Sequence, residues 1–251
     1  VMSISASASN VFAIDTSVID EKWGKPTVVY GSGLNDEQIE STRELFDIQD
    51  TNNVYETSVD ANDLSTYLGV DGADNLILIS SVMVQKQDAG TGVKVKIITP
   101  ENITKITSNQ YANAAITAGV SDVEIDVAAV SRVTGESALT GVYKALEANG
   151  ETLDADRTQV AQDELETTNE IAENNAENSN FNSSNLDQAI VEIKQELAEI
   201  KQNQGSAATT EQVEQVVQDA LNKFNLSDII SQDDIDKLIA FAKKYQNTSA
   251  I

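Results

Sequence analysis

Cysteine and histidine are both absent from the 251 residues. Without cysteine there is no disulfide framework, no thiolate nucleophile and no cysteine metal site. Without histidine there is no Ser-His-Asp triad, no Cys-His dyad and no conventional zinc site. Catalysis, if any, would have to rest on carboxylates, lysine, tyrosine or a serine–lysine pair. Basic residues are scarce as well: 16 Lys and Arg face 41 Asp and Glu, for a formal charge of -25. Phosphate backbones and anionic lipid both need a basic surface, so the charge excludes nucleic acid and argues against docking on acidic membranes. The imbalance is not a tail. Residues 1–150 hold 21 acids and 9 bases, and residues 151–251 hold 20 and 7. It reads as a solvating surface, with attraction to cations or basic polymers as the sharper reading. Aromatic residues make up 5%, and Trp23 is the one tryptophan. No apolar run reaches the ~20 residues of a membrane span. The longest, 76–84, is broken by Ser80-Ser81 and reads as a buried central strand.

Order is clearest in residues 92–150. Val93, Val95 and Ile97 alternate with Lys94 and Lys96, and Val123, Ile125, Val127 and Ala129 alternate with Glu124 and Asp126. Both are strand patterns with one apolar face. If the two strands are neighbours, Lys94 and Lys96 fall opposite Glu124 and Asp126, a bias on register of about 0.2–1 kcal/mol per pair. Between them, Thr107 and Gln110 have capping-box spacing, a helix follows through Tyr111, Ala114, Ala115 and Ala118, and Gly119 ends it. After the second strand, Thr134 is expected to cap a helix carrying Leu139, Val142 and Leu146, closed by Gly150.

Upstream, residues 1–13 (VMSISASASNVFA) are uncharged and rich in small residues, as the remnant of a signal peptide would be. Residues 1–21 are accordingly read as that remnant and a flexible N-terminus. Val28-Val29-Tyr30 is a short strand followed by the turn Gly31-Ser32-Gly33. The turn lacks the lysine and the glycine spacing of a phosphate loop, and Asp36-Glu37 sit where an anion would bind. Asn35, with Gln38 three residues on, caps a helix instead. Residues 54–59 read as a strand, and Asp60 or Asn62 caps a short helix ending near Gly69. The succession of capped helix, strand and capped helix in 35–69 recurs in 107–150, a weak internal echo in pattern.

Strand signals stop at Glu151. Residues 151–173 read as a helix with the thin stripe Ala161, Leu165, Thr168 and Ala172. Residues 174–185 are Asn-rich and aperiodic, hence a linker or long loop. In 186–251, Leu186, Ile190, Ile193, Leu197 and Ile200 recur at spacings of four and three, a short heptad seam. Such a seam packs in a helical hairpin or bundle of its own chain, or pairs with a second copy. Val213, Val217, Ala220 and Phe224 repeat the stripe behind Thr209 and Gln212, and Ser231 opens a last helix with Ile235, Leu238, Ile239 and Ala242.

Chemistry-bearing motifs are weak. Gly135-Glu136-Ser137 suggests a nucleophile elbow, but Leu139 stands where glycine is needed and no histidine can activate the serine. Lys144 lies seven residues on, about 10 Å along a helix, too far to activate it directly. Asp36-Glu37, Asp163-Glu164 and Asp233-Asp234 are carboxylate pairs, but a glycosidase needs two carboxylates facing each other across a cleft. The loops at 50–53 and 71–74 have calcium-like composition without the EF-hand spacing, and read as turns. No residue set emerges as catalytic, cofactor-binding or metal-binding.

GVKVKIITPENIT (92–104), QYANAAITAG (110–119) and VTGESALTGVYKAL (133–146) resemble a family of secreted proteins of Gram-positive bacteria, catalogued as domain of unknown function 1002. The resemblance extends back to about Lys25 and covers about half the chain. It implies export and supplies no catalytic residue. The sequence thus predicts an α+β domain over 22–150, a mixed sheet flanked by helices, followed by an all-helical C-terminal region. The expected function is a structural or binding role outside the membrane or at the cell envelope, on a cell-wall component or basic partner. The alternative is a carboxylate-dependent hydrolase of wall polymer. Self-association would run through Leu186, Ile190, Ile193, Leu197 and Ile200.

Overall fold

The structure, a computed structural model, describes residues 23–251. The segment expected to be a signal remnant lies outside the described residues. Five strands and eight α-helices follow in the order β1 (Thr27–Gly31), α1 (Asp36–Leu45), β2 (Tyr55–Val59), α2 (Ala61–Leu68), β3 (Ser81–Lys86), β4 (Val93–Ile97), α3 (Ser108–Ala118), β5 (Val123–Ala128), α4 (Ala138–Ala148), α5 (Ala155–Asn174), α6 (Ser183–Gln204), α7 (Thr210–Lys223) and α8 (Gln232–Gln246). They form two compact units. Among the described residues, one comprises 23–64, 71–104 and 121–151. The other comprises 65–70, 105–120 and 152–251. The sequence suggested a division near 150, but α3 groups with the C-terminal helices. Its small residues Ala114, Ala115 and Ala118 are buried together with Gln110, Tyr111 and Thr117, a surface that lets another helix approach closely.

The first unit is a mixed sheet in the order β2-β1-β3-β5-β4. Parallel pairs (β1 with β2, β4 with β5) flank antiparallel pairing of β3 with β1 and β5. Register places Lys94 opposite Glu124 and Lys96 opposite Asp126, the expected pairing. Burial pushes the Glu124 carboxyl above its ordinary range, and Lys94 opposes the rise. Asp126, by contrast, is buried rather than on an outer face. Only Val95 of β4 is buried, because β4 is an edge strand. The strands within the two segments of the internal echo are placed differently: β2 is an edge strand and β5 an inner one.

Alternation along the central strands divides the core. Val28, Tyr30 and Met83 pack with Phe46, Ile48 and Val54 on one side. On the other, α4 comes so close that a methyl at Gly141 would lie 2.8 Å from Cγ2 of Val82 and 3.6 Å from Cβ of Val29. The Gly31-Ser32-Gly33 turn has a similar explanation. A Cβ at Gly31 would strike the Leu78 carbonyl oxygen at 2.2 Å, and one at Gly33 would strike the Asn75 oxygen at 2.7 Å. Backbone packing therefore accounts for its glycines.

Two local expectations are corrected. Residues 76–84 are not one strand: β3 begins at Ser81, and Leu76 and Ile77 lie exposed in a 3-10 turn over Asn75–Ile77 that Asp74 caps. Thr134 does not cap α4, which starts only at Ala138 behind Ser137, a residue with helical backbone and no side-chain cap bond. The capping boxes at Asn35–Gln38, Thr107–Gln110 and Thr209–Gln212 all form. Ser231 caps α8, and Asp60 accepts the Asp63 N–H at the start of α2.

In the second unit Leu186, Ile190, Ile193 and Leu197 are buried and Ile200 is partly buried, packed with Val213, Val217, Leu238 and Phe241 in one core. The heptad seam packs within the chain. The Asn-rich stretch shortens to residues 175–182 between α5 and α6. It also has a tertiary role: Asn174 and the buried Asn175 donate to the two oxygens of Asp234 at 3.0 and 3.3 Å. No helix among the described residues is long and apolar enough to cross a membrane.

Candidate functional site

Most residues singled out in the sequence are dispersed into structural tasks. Ser137 sits at the start of α4, whereas Lys144 forms an ion pair with Asp63 at 2.9 Å. Asp36 and Glu37 occupy the first turn of α1, where the helix dipole favours acids. The 50–53 and 71–74 loops use Asp50 and Asp74 as turn acceptors for the N–H groups of Asn52 and Leu76. No group of three acidic side chains that could hold a metal gathers among the described residues.

The exception is Glu164. Its neighbour Asp163 meets Lys244 at the surface at 3.2 Å, but Glu164 is only 2% exposed. Lys194 of α6 reaches it at 3.0 Å, and the Thr117 hydroxyl donates to the same oxygen at 2.7 Å. The ammonium also donates to Thr117 Oγ1 and to the Asn113 carbonyl oxygen, each at 3.1 Å. Heptad geometry dictates this meeting. Lys194 lies four residues after Ile190 and flanks the buried stripe, while Thr117 and Gln110 lie seven apart on one face of α3. The second carboxylate oxygen of Glu164 is buried without a hydrogen bond.

Two helical turns before Lys194, Asp187 continues the network. It is 6% exposed. Its Oδ2 accepts from the Thr107 hydroxyl at 3.3 Å, and that hydroxyl oxygen in turn accepts the Gln110 N–H as the N-cap of α3. Oδ1 is buried within the fold, and the Gln110 side chain acts on the same carboxylate. Burial pushes the Asp187 carboxyl up to about 6; Thr107 and Gln110 pull it down, and the charge of Glu164 adds to the rise. Asp187 lines a groove of about 310 Å³ with Asn109 and Asn113 of α3, Ser184, Gln188, Val191 and Glu192 of α6, and Phe224 at the end of α7. At its rim Glu192 holds Lys223 at 3.1 Å, and that ammonium lies 5.6 Å from the centre of the Phe224 ring.

A second cavity, about 350 Å³, lies in the sheet unit beside Trp23, Tyr55, Glu56 and Asn149. Its polar groups answer one another. Arg43 clasps Glu56 through two nitrogens at 2.8 and 3.2 Å, the Tyr30 hydroxyl donates to the same carboxylate, and Asn149 donates to Thr27 at 2.9 Å. Burial would raise the Glu56 carboxyl, but these bonds outweigh it and hold it low. The Asp187 groove, whose buried carboxyl is held above its ordinary range, is therefore the better candidate. Sequence reasoning named Glu164 only within an adjacent pair and missed Asp187 and Lys194. The available signal was their place beside the Leu186–Ile190–Leu197 stripe, where a charge must be either extended to solvent or paired.

The family described as "Protein of unknown function (DUF1002)" matches residues 30–250. That includes the helical unit and the groove, well beyond the half of the chain that carried the resemblance. The uncharacterized protein YpuA of Bacillus subtilis (strain 168) is similar, with 32% identity over 160 residues, covering 61% of this chain and 53% of that protein. The chain thus spans about half the length of the curated relative it matches. No solved structure matches. With a family match that takes in both compact units, the chain belongs to the DUF1002 family, whose function is unassigned.

Proposed function

We propose that this is an exported or cell-envelope-associated protein that works by binding a component of the wall or a basic partner. The Asp187 groove carries this reading. Amide and hydroxyl side chains suited to hydrogen bonding line it, and Val191 and Phe224 add apolar surface beside them. Such a mixture orients a polar ligand. Export rests on the small, uncharged composition of residues 1–13. The charge of -25 favours cationic partners.

The hydrolase alternative has one point in its favour, a groove carboxyl poised near pH 6 as a general acid would be. Geometry weighs against it. Asp187 and Glu192 both come from α6, and Asn109 and Asn113 of α3 carry no carboxyl. Glycosidic cleavage needs carboxylates on opposite sides of the bond. The test is retention of wall extract on immobilised protein, with hydrolysis assayed in the same samples. Retention without turnover is the expected result. Turnover that vanishes in Asp187→Asn while the fold persists would establish the hydrolase instead.

A further inference from the structure

The charged groups described beside the second cavity, Glu56 and Lys25, are both answered within the sheet unit. Glu56 accepts from Arg43 on both carboxylate oxygens and from the Tyr30 hydroxyl besides. Lys25 spends its ammonium on the Asn52 carbonyl oxygen at 2.8 Å and on the Tyr55 ring, 4.5 Å from its centre. What remains in the wall is aromatic or uncharged: Trp23, the one tryptophan of the chain, with Tyr55, Thr57 and Asn149. From this geometry we infer that the cavity binds one ring of an uncharged pyranose sugar, held against Tyr55 and Trp23. This site is independent of the Asp187 groove and goes beyond the binding role proposed above.

The sheet builds this wall. Thr27 and Tyr55 are register partners in the parallel pair of β1 and β2, and Thr57 follows two residues on, on the same face. Because β2 is an edge strand, Tyr55 keeps 50% of its surface exposed even with the Lys25 ammonium over its ring. That contact holds the ring, so little side-chain freedom is left to lose on binding. Asn149, at the end of α4, donates both amide hydrogens, to Thr27 Oγ1 at 2.9 Å and to the Ala145 carbonyl oxygen at 2.7 Å. Its Oδ1 is left to accept from a ligand, and the Thr57 hydroxyl can donate or accept. A pyranose has apolar C–H faces bordered by hydroxyls, the complement of aromatic surface beside an amide oxygen and a hydroxyl. Other classes fit worse. An ion would find both charges taken. An aliphatic chain would cover Asn149 Oδ1 and Thr57 without hydrogen-bonding to them. The phosphates of a nucleotide would meet a formal charge of -25. At about 350 Å³ the cavity is near the lower end of ligand pockets, ~300–1,000 Å³, which suits a short saccharide.

Trp23 is the only tryptophan, so its fluorescence reports on this cavity in the full, unlabelled chain. The probes are cellobiose and N,N′-diacetylchitobiose, with sodium glucuronate as the charged control. At pH 7.5 one or both disaccharides should change the Trp23 emission saturably, and glucuronate should not. Tyr55→Ala should weaken that binding at least about tenfold, whereas Tyr55→Phe, which keeps the ring, should stay within about threefold of the parent. A readout in the unaltered protein covers the case of a misfolded variant. Saturating its aromatic protons in an NMR experiment should transfer magnetisation to the C–H protons of the sugar. No saturable response to either disaccharide, an equal response to glucuronate, undiminished binding in Tyr55→Ala, or no transfer from aromatic protons would overturn the assignment. Retention of wall extract without saccharide binding would overturn it too, while leaving the broader binding role standing. Saccharide binding without wall retention would uphold the site and remove the wall as its source of ligand.

Discussion

Replacing Asp187 by asparagine should make the protein more stable at neutral pH and remove part of its response to acid. The folded-state carboxyl is pushed up to about 6 by burial, from an ordinary value of 3.8. Its ionised form is therefore disfavoured in the fold by about 3 kcal/mol, at about 1.4 kcal/mol per unit. Because the folded value lies above the unfolded one, the folded state binds the proton more tightly. The associated stability is fully present below the unfolded value of 3.8 and is lost as pH rises through about 6. Asparagine has the same shape and no such dependence. Urea denaturation of both proteins at pH 4.5, 5.5, 6.5 and 7.5 isolates the effect, since the other carboxylates are common to both and cancel in the difference. That difference should move in favour of the variant by about 2 kcal/mol between pH 4.5 and 7.5. A flat difference would refute the reasoning, because it would mean that water reaching the groove keeps the Asp187 carboxyl ordinary.

Lys194→Met should destabilise by about 3–5 kcal/mol, because it strands the 2%-exposed Glu164 carboxylate. Adding Glu164→Gln should recover part of that loss, as a double-mutant cycle in urea would show. Gly141→Ala should lose roughly 1–2 kcal/mol in the same assay: helix propensity gains about 1, but the new methyl meets Val82 Cγ2 at 2.8 Å. Thr107→Ala should cost about 1 kcal/mol as a lost cap and raise the Asp187 midpoint further, measured by NMR, whereas Thr134→Ala should stay within about 0.5 kcal/mol.

What could be read from the sequence is what local spacing determines. The capping boxes at Asn35, Thr107 and Thr209 need only two residues three apart, and each forms where the spacing places it. The Lys94–Glu124 register followed from alternation and charge on two segments. Fold class followed from the change of period at residue 151. Local signals failed where one spacing served two structures. Thr134 has the side chain of a cap, yet the chain makes one more turn, through Gly135 at positive φ, before α4 begins. Leu76 and Ile77 are as apolar as the strand that follows. The backbone there closes over Gly31 and Gly33 instead, and exposes them.

The groove lies on the far side of that limit. Glu164, Asp187 and Lys194 look individually like solvated charges on amphipathic helices, which is where such residues usually belong. Their burial depends on α3: sequence separations of 47 and 77 residues join its Thr117 to Glu164 of α5 and Lys194 of α6. Periodicity within one helix cannot see such a meeting. It could, however, have shown that Lys194 flanks the buried stripe, and a lysine there must extend to water or find an anion. With α3 closing over that flank, extension is blocked and the anion must come from α5. Glu164 and Lys194 then answer each other through one oxygen of the carboxylate, and Asp187, seven residues earlier on α6, is held by Thr107 and Gln110 of α3 instead. Burial beside Glu164 therefore leaves Asp187 as the group in this network whose charge changes near pH 6.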